Sequence, residues 1–176
     1  NGFKRFWASG RDTVEGTNYH TNFKLKQTKN TPEFVVFSDS SGTRIGSIKL
    51  IQKTQLSHSY GRTANGANTW GIFISPTPNF SNNTSKSYSR YADKPDFRIP
   101  AGFYSLPLLD TITTSDTNAL IRYTTNGTLP TATSSLYTSP VSISTTTVLK
   151  AITFNSDTTV LPSFIEFATY FINVIH

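Results

Sequence analysis

Ala119–Phe154 reads ALIRYTTNGTLPTATSSLYTSPVSISTTTVLKAITF. Leu120, Arg122 and Thr124 alternate with Ile121, Tyr123 and Thr125, the period of two that a pleated strand imposes. Asn126-Gly127 offers two residues that accept positive φ, so a tight hairpin turn is expected there. Leu129-Pro130 opens a polar crossing, Ser139-Pro140 breaks the chain again, and Thr147–Phe154 resumes the β pattern. The reading is three short strands joined by turns, with no catalytic motif among them.

The composition around this stretch agrees. Hydrophobic residues make up 36% of the 176 and charged residues only 15%. Thr, Ser and Asn fill the difference. A disordered chain would lack aromatics, and this one is 13% aromatic, which argues for folding. Thr, Tyr, Phe, Val and Ile suit a half-buried pleated surface, and no long window carries helical spacing with caps, so helices should be few. The absence of Cys excludes a disulfide framework and a thiolate nucleophile or metal site. With no Met, Asn1 is not expected to be a translation start, and the chain is expected to be a mature, trimmed or excised fragment from which any signal peptide would have been lost upstream. No apolar run nears the ~20 residues that span a membrane. The net charge of +6 is uneven, with fourteen basic against six acidic residues up to Arg98 and two against four beyond it. Such a step marks a compositional boundary.

From the N-terminus, Phe3, Phe6 and Trp7 cluster among basic residues. His20–Lys26 alternates, with Phe23 and Leu25 facing opposite to Lys24 and Lys26. Gln27–Pro32 reads as a turn. Glu33–Phe37 is apolar on both faces, as in a strand inside a sandwich, and Ser38–Gly42 carries the Asx-turn chemistry that returns the chain along Thr43–Ile51. A turn at Ala64-Asn65-Gly66 precedes a strand at Trp70–Ile74, and Pro76 and Pro78 end the pairing. In order, HTNFKLK, EFVVFSDSSGTRIGSI, SYGR, ANG, TW and SPTPNFSN resemble a lamin-tail domain of bacterial extracellular proteins, over roughly Phe3–Asn82. The family's first strands have no counterpart here. This resemblance implies an immunoglobulin-like sandwich.

Asn83–Pro100 is polar, proline-punctuated and aperiodic. Beyond it, IRYTTNGTLPT (121–131), SLYTSPVSI (135–143), TTTVLKAITF (145–154) and PSF…ATYFI (162–172) resemble the chitobiase/β-hexosaminidase C-terminal domain, with Asn126 where that family usually has Asp. This implies a fibronectin-III-like sandwich that serves as an accessory. The pair of modules in this order resembles the start of secreted bacterial proteins that continue into a spore-coat-protein-H-type kinase. The expected organisation is all-β: two tandem immunoglobulin/fibronectin-III-like β-sandwiches over 1–85 and 97–176, joined by a linker at 86–96.

The candidate sites are few. His20, His58 and His176 are far apart, and neither a Gly-x-Ser-x-Gly elbow nor a His-Glu-x-x-His pair occurs, so no catalytic residue is assigned. Asp12 with Glu15, and Asp93 with Asp96, read as solvated loop charges. Ser38–Gly42 holds one carboxylate where a calcium loop needs several oxygen ligands, so no metal and no cofactor is expected. Lys4, Arg5, Arg11, Lys24, Lys26, Lys29, Lys49, Lys53 and Arg62 make the first module basic. An anion-binding surface is the functional account, and edge-strand protection by lysine is the plainer one. Without an arginine-rich run or recognition helix, nucleic acid is not the expected partner. Among Trp7, Tyr60, Trp70, Tyr88 and Tyr91, the strand position of Trp70 beside Ile72 and Ile74 suggests burial. Tyr60 and Arg62, read as loop residues, are better placed to meet a sugar. Ligand-binding candidates are therefore Tyr60, Arg62, Trp70, Lys24 and Lys26. The expected function is non-catalytic: accessory modules of a secreted or cell-surface bacterial protein that position a neighbouring domain or bind a protein or polysaccharide. Alternatives are a carbohydrate-binding module, the N-terminal fragment of a kinase-like enzyme, and anion binding through the basic module.

Overall fold

The computed structural model describes residues 2–26, 33–50 and 53–174. Every regular element among them is a strand, so the all-β class holds. The chain divides into two compact units, Asn1–Lys86 and Ser87–His176.

In the first unit, β1 (Phe6–Trp7), β2 (Thr13–Glu15) and β3 (Asn18–His20) form a three-stranded sheet in the order β1-β3-β2. Two hairpins follow, β4 (Glu33–Ser38) with β5 (Arg44–Leu50) and β6 (Ser59–Arg62) with β7 (Trp70–Phe73). The turn between β4 and β5 is the expected one. Asp39 Oδ1 accepts from the Ser41 and Thr43 amides at 2.9 Å each and from the Ser41 hydroxyl at 2.6 Å. The Ser41 hydroxyl and then the Thr43 amide hold its carboxyl below the usual range.

Several expectations for this unit change. Residues 21–26 form no strand, although they alternate. The Thr21 hydroxyl turns onto the Phe23 carbonyl at 2.8 Å, and only Lys24 makes a bridge, to Ser9. β4 pairs as read, but Phe34, Val36 and Phe37 stand exposed on a two-stranded ribbon, not in a sandwich interior. Trp70 is half-buried and Ile74 exposed, while Ile72 and Phe73 take the core positions. Lys29, the turn at 27–32, Ile51 and His176 lie outside the described residues.

In the second unit, β8 (Arg90–Tyr91), β9 (Asp96–Phe97), β10 (Gly102–Tyr104), β11 (Leu108–Asp110) and β12 (Ile112–Thr113) lead into β13 (Ala119–Thr124), β14 (Ser135–Leu136) and β15 (Val141–Ile143). The chain closes with β16 (Thr147–Asn155), β17 (Val160–Leu161) and β18 (Glu166–Ile172). The main sheet has the order β10-β18-β16-β13-β14, and β11 pairs β15, β12 pairs β9 and β17 pairs β8. Along β18, Ala168, Tyr170 and Ile172 point inward. They meet Ile121, Leu149 and Ala151 of their own sheet and Ile112, Val141 and Ile143 of the smaller pairs in one cluster. Residues from separate sheets sharing one core is sandwich packing. Each large side chain so buried contributes roughly 1.5–3 kcal/mol.

Residues 86–96 are not a linker. β8 pairs in parallel with β17, and Tyr91, Ala92 and Pro95 are buried. Arg90 grips Asp116 through two N–H donors at 2.5 and 3.2 Å, and the Asp93 amide donates to the same carboxylate at 2.8 Å. Arg90 is the main cause of the lowered Asp116 pKa. Asn126-Gly127 is likewise no two-residue hairpin. A turn of that kind needs positive φ at both residues, and only Gly127 has it, at 78°. Asn126 Oδ1 instead accepts from the Thr128 amide and hydroxyl, at 3.2 and 2.7 Å, and the chain crosses onward before pairing as β14.

Candidate functional site

Tyr60 and Arg62 are two residues apart on β6, so their side chains share a face. The register sets Arg62 opposite Trp70 and Tyr60 opposite Ile72, placing all four together. The Tyr60 and Trp70 rings lie 5.6 Å apart at 32°, and the Arg62 guanidinium lies 5.3 Å above the indole. Tyr60 and Arg62 are therefore strand residues, not loop residues, and all three polar or aromatic members are half-buried. Arg62 also donates to the Ala67 carbonyl, which fastens the cation to the β6–β7 turn.

That turn carries the Ala64-Asn65-Gly66 sequence, with Gly66 at φ 74°. Asparagines join it to the loop after β7. Asn82 Nδ2 donates to the Arg62 carbonyl at 2.7 Å, the Asn82 amide donates to Asn65 Oδ1 at 3.3 Å, and the Asn65 amide donates to Asn83 Oδ1 at 2.8 Å. Thr77 donates to Asn82 Oδ1. SYGR, NG, Trp70, PTP and Asn82 thus fold as one piece.

Three open grooves adjoin it. One, of about 430 Å³, runs past Lys4, Arg5, Tyr60 and Phe80, and another, of about 670 Å³, past Arg62, Trp70 and Gly66. They share Phe3, Gly61, Asn65 and Asn82, so they run together. The third, of about 260 Å³, lies between Trp70 and the apolar Val35, Phe37 and Ile48. Lys24 and Lys26 line none of these. Lys24 lays its methylenes beside Gly10, and the Lys26 amide donates to Glu33 at 2.6 Å. The structure brings Tyr60, Arg62 and Trp70 together and leaves the two lysines elsewhere in the unit.

One juxtaposition has no local sequence signature. Ser9 Oγ lies 2.9 Å from His20 Nδ1, and His20 Nε2 lies 3.9 Å from Glu15, which also pairs with Arg11 at 3.7 Å. Ser9 and His20 are brought together because β1 and β3 pair in parallel. A working triad needs a short hydrogen bond from the carboxylate to orient the imidazole, and 3.9 Å is not one. The His20 ring also stacks on Trp7, with centroids 6.4 Å apart, so the cluster ties the small sheet together. Of the paired carboxylates, Asp93 accepts from Ser115 at 2.6 Å and Asp96 belongs to β9. The described residues include no group of three or more His, Cys, Asp or Glu that could hold a metal ion.

In the second unit one buried acid is paired inside the fold. Asp110 is fully buried on β11, accepting from the Ile99 amide at 2.9 Å and from the Tyr170 hydroxyl at 2.7 Å. Burial, reinforced by this carboxylate, raises the Tyr170 pKa far above the phenol value of 10.0. Such a pair braces the sheets and presents no reactive atom to solvent. Comparison with curated proteins and with solved structures yields no match. Residues 99–163, from the amide that anchors Asp110 to the serine that backs β16, match the family model of the chitobiase/beta-hexosaminidase C-terminal domain, an immunoglobulin-like β-sandwich that is accessory and non-catalytic.

Proposed function

We propose that this chain is a pair of non-catalytic interaction modules of a secreted or cell-surface bacterial protein, holding a neighbouring domain or binding a partner outside the cell. The observation that carries the reading is the family match over residues 99–163. It falls on a unit whose buried acid and phenol are committed to each other. Rigid sheets with variable loops suit surface recognition, and function has to be argued from such a site. The lamin-tail likeness of the first unit and a following kinase domain belong to the same proposal. In it, the chain presents and spaces while another domain of the same polypeptide does chemistry.

The test is turnover by the 176-residue chain on aryl N-acetyl-β-glucosaminides, and on ATP with a protein acceptor. Neither reaction is expected, whereas phosphoryl transfer by the full-length gene product is. Turnover by the chain itself overturns the accessory reading. Absence of phosphoryl transfer from the full-length product removes the kinase part of it alone.

A second reading, carbohydrate binding, is favoured by one observation, the gathering of Tyr60, Arg62 and Trp70 on one face.

A further inference from the structure

We propose that the joined grooves beside Trp70 bind an acidic polysaccharide of the uronate class. The proposal deepens the interaction reading above and rests on it. Three cations line the grooves: Lys4, Arg5 and Arg62. Each is positioned by an aromatic ring instead of a carboxylate. Lys4 sits 3.9 Å over Tyr19, Arg5 4.9 Å over Trp7 and Arg62 5.3 Å over Trp70. A ring face holds a cation without cancelling its charge, so the charge remains available to a ligand anion. Among the described residues no carboxylate lines either groove. Of the unit's four acids, Glu15 pairs with Arg11 and His20, Glu33 accepts from the Lys26 amide and Asp39 is held within its own turn, while Asp12 lines neither groove.

Ring faces complete the chemistry. Phe3 and Phe80 are 55% and 73% exposed, enough to lay an apolar face against the C–H side of a pyranose. Trp70 is already covered by Arg62 and is not a stacking platform. Neutral polar residues, Ser59, Tyr60, Asn65 and Asn79, line the same groove. These neutral donors and acceptors outnumber the cations. That ratio matches a polymer with several hydroxyls per carboxylate better than one with a charge at every phosphate.

Affinity electrophoresis of the 176-residue chain tests this, with gels containing polygalacturonate, neutral dextran or oligothymidylate. Retardation is expected in polygalacturonate, falling as salt rises. The double variant K4Q/R5Q should weaken it about tenfold. K24Q/K26Q, which removes equal charge away from the grooves, should leave it unchanged. Near-ultraviolet circular dichroism establishes that both variants are folded. No retardation, equal retardation in dextran, tighter binding to oligothymidylate, or greater loss with K24Q/K26Q than with K4Q/R5Q would each overturn the proposal. Cleavage of the polymer would instead overturn the accessory reading and leave the groove standing.

Discussion

Thr153 Oγ1 is buried and meets no hydrogen-bond partner among the described residues, although the Thr153 amide donates to Ser163 Oγ at 2.9 Å. An orphan hydroxyl carries its full desolvation cost. Thr153→Val should therefore stabilise the second unit by about 1 kcal/mol in urea unfolding, and a loss of stability would mean the hydroxyl has a partner. Tyr170 behaves oppositely, because its hydroxyl satisfies buried Asp110. Tyr170→Phe should cost about 2 kcal/mol by leaving that carboxylate short of a donor. The same pair sets an alkaline limit. The folded phenol holds its proton more tightly than the unfolded one, so its contribution is complete below the unfolded value of 10.0 and is lost as pH climbs through the raised folded value. Stability of the wild-type chain should decline above that pH, and Tyr170→Phe should decline less. Parallel curves would contradict the assignment. None of these residues was legible as a functional or structural pair, since Asp110 and Tyr170 are joined only by the packing of separate sheets.

At the scale of elements, legibility followed length. β13 and β16 were readable from Ala119–Phe154 because period-two alternation and β-branched residues persist over six and nine positions. β8, β9, β14 and β17 have two residues each, too few to show any period. The β8–β17 pairing shows itself only in the burial of Tyr91 and Leu161, which is why the polar stretch at 86–96 read as a linker. Tyr91→Ala should cost about 3 kcal/mol, as measured by thermal unfolding of the second unit; a neutral result would restore the linker. The Gly127 turn makes the converse point. Its φ of 78° excludes a cheap side chain, so Gly127→Ala should cost about 1 kcal/mol. Exchange of the Gly127 amide, which donates to the Val148 carbonyl at 3.1 Å, should then quicken, and unchanged exchange would contradict a strained turn. The Tyr60–Arg62–Trp70 face was half legible. The residue types stood out, but SYGR looked like a loop because strand pairing with β7, not its own pattern, makes it extended.

For the whole molecule the division of charge and the division of structure coincide closely. The basic residues concentrate toward the first unit, where four cation–π contacts occur among the described residues. The second unit carries the family match, a shared core and an internally satisfied acid–phenol pair. Recognition assigned to one unit and support to the other is the account these features favour. Calorimetric titration of the 176-residue chain with oligogalacturonate examines both parts at once. The account predicts saturable heats that return to baseline after each injection, with affinity about tenfold weaker in K4Q/R5Q. Heat flow that persists after each injection, the mark of turnover, or no heat at all, would contradict it.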